Sequence, residues 1–110
     1  MEDKKLAWLN TEIKSPPFSL DARQEAGMLL RRLQRGENIG MPESRPLPQI
    51  APRLHELRIK DDMKRKIWRI FYRIDPDFIV VAAVEEKKTE AISKKTANLI
   101  KRRLKDYDTE

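Results

Sequence analysis

The chain of 110 residues has no cysteine and a single histidine, His55. Disulfides and thiolate metal sites are therefore excluded, and one imidazole cannot assemble a histidine-rich metal centre. Three glycines leave no material for a phosphate-cradling glycine loop, and neither a Ser-His-Asp set nor a paired-carboxylate signature is present. The opening "MEDKKLAWLN" lacks the apolar run of a signal peptide, and no stretch approaches the ~18 consecutive apolar residues of a membrane span. The expectation is a soluble, cytoplasmic protein with no cofactor, no metal and no membrane contact.

What is present is charge. Charged residues make up 38% of the chain and the net charge is +6, a balance that fits a polyanionic partner, whether nucleic acid, an anionic membrane or an acidic protein. A chain of this length has interior for one core, so residues 1–110 are expected to form a single domain.

Periodicity divides the chain. "KLAWLN" alternates Leu6 and Trp8 and reads as an edge strand or a packed arm. Pro16 and Pro17 mark a connector. Leu20, Ala22, Ala26, Leu29, Leu30 and Leu33 then recur at three- and four-residue spacing, which predicts a helix between a Ser19 cap and a Gly36 stop. Residues 37–53 carry four of the seven prolines and read as a crossing loop without regular structure. Leu54 to Lys60, Ile67 to Ile74 and Asp77 to Glu86 read as three strands; their short links, "DDMKRK" and "DPD", imply an antiparallel meander. Finally, Ala97, Ile100, Leu104 and Tyr107 fall on one face of a basic amphipathic helix, Ser93 to Tyr107. The fold class is α+β.

Alternation sorts the strand residues by face. His55, Leu57 and Ile59 share one face of the first central strand, and Glu56, Arg58 and Lys60 the other. In the second, Trp68, Ile70, Tyr72 and Ile74 oppose Ile67, Arg69, Phe71 and Arg73. The third is apolar on both sides, with Phe78, Val80, Ala82 and Val84 on one and Ile79, Val81 and Ala83 on the other, the pattern of a central strand. One face then holds the helices, and the other gathers Arg58, Lys60, Arg69 and Arg73 as an exposed basic platform. Like charges on neighbouring strands repel, so such crowding needs an anionic ligand or internal carboxylates, of which Glu56, Asp61, Asp62 and Glu85 are the candidates. Tyr72 reads as a core residue with a satisfied hydroxyl, and His55 as a packed or hydrogen-bonded side chain rather than a general base.

The order of "ARQEAGMLLRRLQRGE", "MPESRPLP", "HELRIKD", "WRIFYRID", "FIVVAAVEEKKT" and "KRRLKDY" resembles the phage-derived Gp49-like group of the RelE/ParE toxin superfamily, close to HigB-type toxins. The resemblance implies a RelE-like α+β fold and a type II toxin that cleaves ribosome-bound messenger RNA without metal, by attack of a ribose 2′-hydroxyl on the adjacent phosphate. The resemblance matches Arg58 and Lys60 to that group's basic pair on the first central strand, Arg69 to its phosphate-binding arginine and Lys87 or Lys88 to its basic residue after the third; Arg69, Lys88, Arg58 and Lys60 are the catalytic candidates, and Arg73, Lys87, Lys64 and Arg65 further RNA-binding candidates. The implied partners are the ribosome, messenger RNA and an acidic antitoxin of the helix-turn-helix DNA-binding type. The chain departs from the pattern in having no tyrosine shortly after Lys88, one histidine only, and Glu85 where the group usually has phenylalanine. Other members of the superfamily suggest two further roles: a ParE-like gyrase inhibitor, or a toxin that has lost its chemistry and only binds its antitoxin.

Overall fold

A computed structural model describes residues 2–10 and 17–110. The first part of the proline connector, including Pro16, lies outside the described residues. The chain runs β1 (Lys5–Trp8), α1 (Leu20–Gln34), β2 (Ser44–Pro46), β3 (Leu54–Asp61), β4 (Lys66–Ile74), β5 (Phe78–Glu86) and α2 (Lys94–Asp108). The strands form one sheet in the order β1-β5-β4-β3-β2. β1 is an edge strand parallel to β5, and the other pairings are antiparallel, which gives the expected meander.

Local chemistry sets the ends of both helices. The Ser19 hydroxyl accepts from the Ala22 amide at 3.3 Å, and the Ser93 hydroxyl accepts from the Thr96 amide at 3.1 Å, each satisfying a first-turn donor. At the end of α1, the Gly36 amide donates to Leu33 and the Glu37 amide to Arg32. That pair of bonds is a Schellman cap, and it requires the left-handed backbone that Gly36 adopts at φ +90°.

The helices lie on opposite faces of the sheet, not on one as the strand alternation suggested. The apolar stripe of α1 packs on Leu57, Ile59, Trp68, Ile70, Tyr72, Ile79 and Val81. On the other face, Ile100 and Leu104 of α2 pack on Leu54, Phe71, Val80, Ala82 and Ala83. Burying two such side chains contributes about 1.5–3 kcal/mol each, which fixes α2 over the arginine-bearing face.

Two further departures shape that face. The 37–53 crossing contains β2, a short edge strand on β3; Pro46 fits there because an edge position leaves no ladder bond for its missing N–H to break. In addition, β5 carries a bulge: Phe71 pairs with Ala83 and Tyr72 with Val81, so Ala82 is the extra residue. Strict alternation fails beyond it. Ala83 joins the α2 core and Val84 the α1 core, and Glu85 is turned toward Arg69. The Ala82 carbonyl accepts from Arg103 of α2 at 2.8 Å.

Candidate nucleic-acid interface

Arg58 and Arg69 sit directly opposite each other across β3 and β4, and Arg69 opposite Glu85 across β4 and β5. The row forms as alternation requires. It is not an open platform. The Arg69 side chain is 2% exposed, covered by the irregular segment 87–93 that links β5 to α2.

Its bonding explains the burial. A guanidinium has five N–H donors, and here each finds an acceptor within the chain. Nε donates to Glu56 Oε1 at 2.8 Å; Nη1 donates to Glu85 Oε2 and to the Ala91 carbonyl, both at 3.4 Å; Nη2 donates to the carbonyls of Thr89 and Glu90. No donor is left over for a phosphate. Glu56, fully buried, is the hub of the network and also receives Arg45 Nε at 2.6 Å and Arg58 Nε at 3.3 Å. Glu85 is held in turn by the Thr96 hydroxyl at 2.7 Å, which ties the network to the first turn of α2.

Arg73 is likewise withdrawn from the proposed RNA contacts. Its four residues of separation from Arg69 amount to ~13 Å along the strand. At that end it makes forked bonds of 2.7–2.8 Å to Asp75 and 2.8 Å to Asp108, with the Tyr107 ring centroid 6.0 Å away. Its bonds to Asp108 and then Asp75 raise its pKa above that of free arginine, and the Asp108 carboxyl is lowered mainly by its bond to Arg73. The arrangement clamps the end of α2 to the sheet.

The accessible cations lie instead along the rim formed by the β3–β4 turn and the end of β5. Lys60 and Lys88 are exposed and make no side-chain ion pair among the described residues. Lys88 lines a cleft of about 480 Å³ with Glu85, Glu86, Thr89 and Ser93, and Arg69 forms part of its wall. Lys60, Arg65, Lys66 and Lys87 line an adjoining groove of about 410 Å³ that shares Glu86 with the first. A third, of about 350 Å³, joins Lys60 to Arg58 around Ile67. Arg65 is exposed at the turn with φ +54°, and Lys64 donates to the Pro17 carbonyl. Arg58 is 22% exposed, and Lys87 is 13% exposed; both also reach Glu90.

Of the carboxylates proposed as internal partners, Glu56 and Glu85 do meet Arg69. Asp61 belongs to the other face, where its Oδ2 accepts from the Trp68 indole at 3.0 Å and from the Ser19 amide at 2.9 Å. Burial pushes the Asp61 carboxyl up, but the bonds from Ser19, Trp68 and Lys64 outweigh it and hold the group below the ordinary carboxylate range. Asp62 uses its backbone carbonyl, which accepts from the Arg65 amide. Sequence reasoning missed Arg45 and Glu90 altogether. Glu90 sits three residues after Lys87, a spacing that signals an ion pair, whereas Arg45 reaches Glu56 only through the unexpected pairing of β2 with β3.

His55 and Tyr72 take the structural roles expected of them. Their rings stack at 5.3 Å, His55 Nδ1 bonds the Arg53 carbonyl, and the Tyr72 hydroxyl meets Ser44 Oγ at 2.6 Å. Burial raises the Tyr72 pKa, with the Ser44 bond opposing it. Among the described residues no group of acidic or histidine side chains could hold a metal ion, and no helix is long and apolar enough to cross a membrane.

The model for the family "Phage derived protein Gp49-like (DUF891)" matches residues 16–105, which takes in α1, all but the first strand, and most of α2. The chain belongs to this family. Gp49-like proteins are associated with RelE-like toxins, an association that suggests a toxin–antitoxin context and an antitoxin partner, and the α+β architecture is consistent with a RelE-like fold. Searches of curated proteins and of solved structures return no significant match. In this Gp49-like chain the basic residues that the sequence singles out separate into a buried pair, Arg69 and Arg73, and an accessible set, Arg58, Lys60, Lys87 and Lys88, with Lys64 and Arg65 at the adjacent turn.

Proposed function

We propose that this protein is the toxin of a type II toxin–antitoxin pair and that it cleaves messenger RNA on the ribosome, using the rim of the sheet as its RNA-binding surface. The carrying observation is that Lys60 and Lys88, both exposed and without an ion-pair partner among the described residues, flank Arg58 and Lys87 along one continuous set of grooves. Cations spaced along a groove suit the phosphates of a single strand. In the reaction the 2′-oxygen bonds to the adjacent phosphorus and the bond to the 5′-oxygen breaks; Arg58, Lys87 and Lys88 offset the charge that develops on the phosphorane. With His55 and Tyr72 packed on the other face, the carboxylate placed to accept the proton at this rim is Glu86, which lines the first two grooves and lies 3.4 Å from Lys66 Nζ. Arg69 serves as a positioning residue that holds segment 87–93. The protein would act in the cytoplasm, and an acidic antitoxin of the helix-turn-helix DNA-binding type would neutralise it by covering the rim.

The test is induction in bacteria with mapping of messenger RNA 5′ ends, comparing the native protein with Lys60→Ala/Lys88→Ala. Both lysines are surface residues, so the double variant keeps its fold and should lose the cuts within translated codons. One observation favours a second reading: the internal satisfaction of every Arg69 donor suits a ParE-like protein that inhibits gyrase through protein contacts. Intact transcripts with stalled replication would support it.

A further inference from the structure

We infer that Arg58 and Lys87 form a site for a single phosphate group, which the chain fills with its own Glu90 carboxylate until a phosphate displaces it. The inference deepens the reading of the rim as an RNA interface and rests on that reading for its natural ligand. Each Glu90 oxygen takes one cation: Oε1 lies 2.8 Å from Lys87 Nζ, and Oε2 lies 3.3 Å from Arg58 Nη2. Two cations converging on the two oxygens of one anion is the arrangement that also receives the two non-bridging oxygens of a phosphodiester.

Arg58 keeps its aim without the anion, and Lys87 keeps its place at the end of the strand. Arg58 is oriented from behind by its Nε bond to buried Glu56, so its outer nitrogen stays aimed at the rim whatever stands in front of it. Lys87 is held at the end of β5 by its amide, which donates to the Ile67 carbonyl at 2.7 Å. The Glu90 main chain is anchored as well, because its carbonyl accepts from Arg69 Nη2 at 2.9 Å. Its side chain, however, is 77% exposed and can turn away without moving the loop.

The exchange is close to neutral, since a phosphodiester carries the same charge as the carboxylate it replaces and an ion pair with an exposed carboxylate contributes little. The neighbouring exposed cations, Lys60 and Lys88, can tip the balance toward an RNA strand but offer nothing to an isolated carboxylate already in place. The bond from Lys87, then the charges of Lys87 and Arg58, hold the Glu90 carboxyl below its ordinary pKa.

The experiment measures binding of inorganic phosphate by amide chemical-shift titration at low ionic strength, and of a short single-stranded RNA by fluorescence anisotropy. The proteins are the native chain, Glu90→Gln, Glu90→Ala, Glu90→Gln/Lys87→Ala, and Glu2→Gln as a control that removes an equal charge elsewhere. Both Glu90 variants should bind both probes about three- to fivefold more tightly, the gain that loss of a weakly held competing anion allows. The gain should vanish when Lys87 is also removed and be absent from Glu2→Gln. Unchanged or weaker phosphate binding by the Glu90 variants, an equal gain in the control, or a gain that survives loss of Lys87 overturns the inference. If phosphate binding tightens while transcripts stay intact in cells, the phosphate site stands and the nuclease reading falls. If transcripts are cut while the Glu90 variants leave phosphate affinity unchanged, the inference alone falls.

Discussion

Replacing Arg69 with methionine separates a buried keystone from an open phosphate clamp, because the two assignments predict effects of different sign. On an open face, Arg69 beside Arg58 would be a repulsive pair, and its removal would be neutral or stabilising. The structure instead gives it five internal acceptors and a side chain only 2% exposed. Breaking a buried ion pair by deleting one partner costs about 3–5 kcal/mol. The low end applies, since Glu56 would keep Arg45 and Arg58, Glu85 would keep the Thr96 hydroxyl, and methionine would retain much of the packing of the arginine stem. A loss of about 3 kcal/mol is therefore expected, against a total stability of about 5–15 kcal/mol for a domain of this size. Urea unfolding reads it as a lower midpoint at unchanged slope. Amide exchange at residues 89–91 should rise more than exchange in the strands, because their carbonyls lose the donors that hold the segment down. A change smaller than about 0.5 kcal/mol, or equal acceleration of exchange everywhere, would refute the keystone assignment.

Other perturbations test separate parts of the fold. The Asp61 carboxyl is lowered in the folded state, so its stabilising contribution is complete above its unfolded pKa of about 3.9 and is lost as pH falls through the folded value. Asp61→Asn should accordingly flatten the fall in Tm below about pH 4, and an acid limb as steep as that of the native protein would count against its hydrogen bonds. Tyr72→Phe strands the buried Ser44 hydroxyl and should cost about 1–2 kcal/mol in urea unfolding, with Ser44→Ala adding less than its own cost on top. Gly36→Ala meets no atom near the new Cβ, so any loss is backbone strain at φ +90°; about 1 kcal/mol is expected, and no change would contradict the cap. Asp108→Asn leaves Arg73 paired with Asp75, and should cost under about 1 kcal/mol while speeding amide exchange in the last turn of α2.

What could be read from the sequence was whatever a short window decides. The spacing in α1, its Ser19 cap and Gly36 stop, the meander and the apolar stripe of α2 are all local signals, and the structure bears them out. Sequence alternation also put Arg58, Lys60, Arg69 and Arg73 on one face. It failed where longer-range facts intervened. The bulge at Ala82 reverses the faces of β5 from one residue to the next, and nothing in "FIVVAAVEE" marks which alanine is extra. The side taken by α2 had a signal that was underused: β5 is apolar on both faces, as are Leu54, Phe71 and Val80 on the arginine side, so that face too needed a cover.

That cover explains why a guanidinium, and not another apolar side chain, occupies position 69. Helix α2 shields only the part of the face around Phe71, Val80 and Ala82; the part nearer the rim is crossed by segment 87–93, which has no regular structure and turns the carbonyls of Thr89, Glu90 and Ala91 inward. Buried carbonyls need donors, and a sheet face lined with leucine or valine has none to give. Arg69 supplies them from the sheet while Glu56 and Glu85 balance its charge, so an irregular segment can lie flat where a helix or strand would otherwise be required. The consequence reaches the rim: with the backbone at 89–91 pinned, Lys87 and Lys88 leave the end of β5 in fixed positions beside Lys60 and Arg58. The buried arginine thus acts on the candidate RNA surface by holding it in shape, and a variant that loosens the segment should weaken RNA binding in proportion to the mobility it introduces.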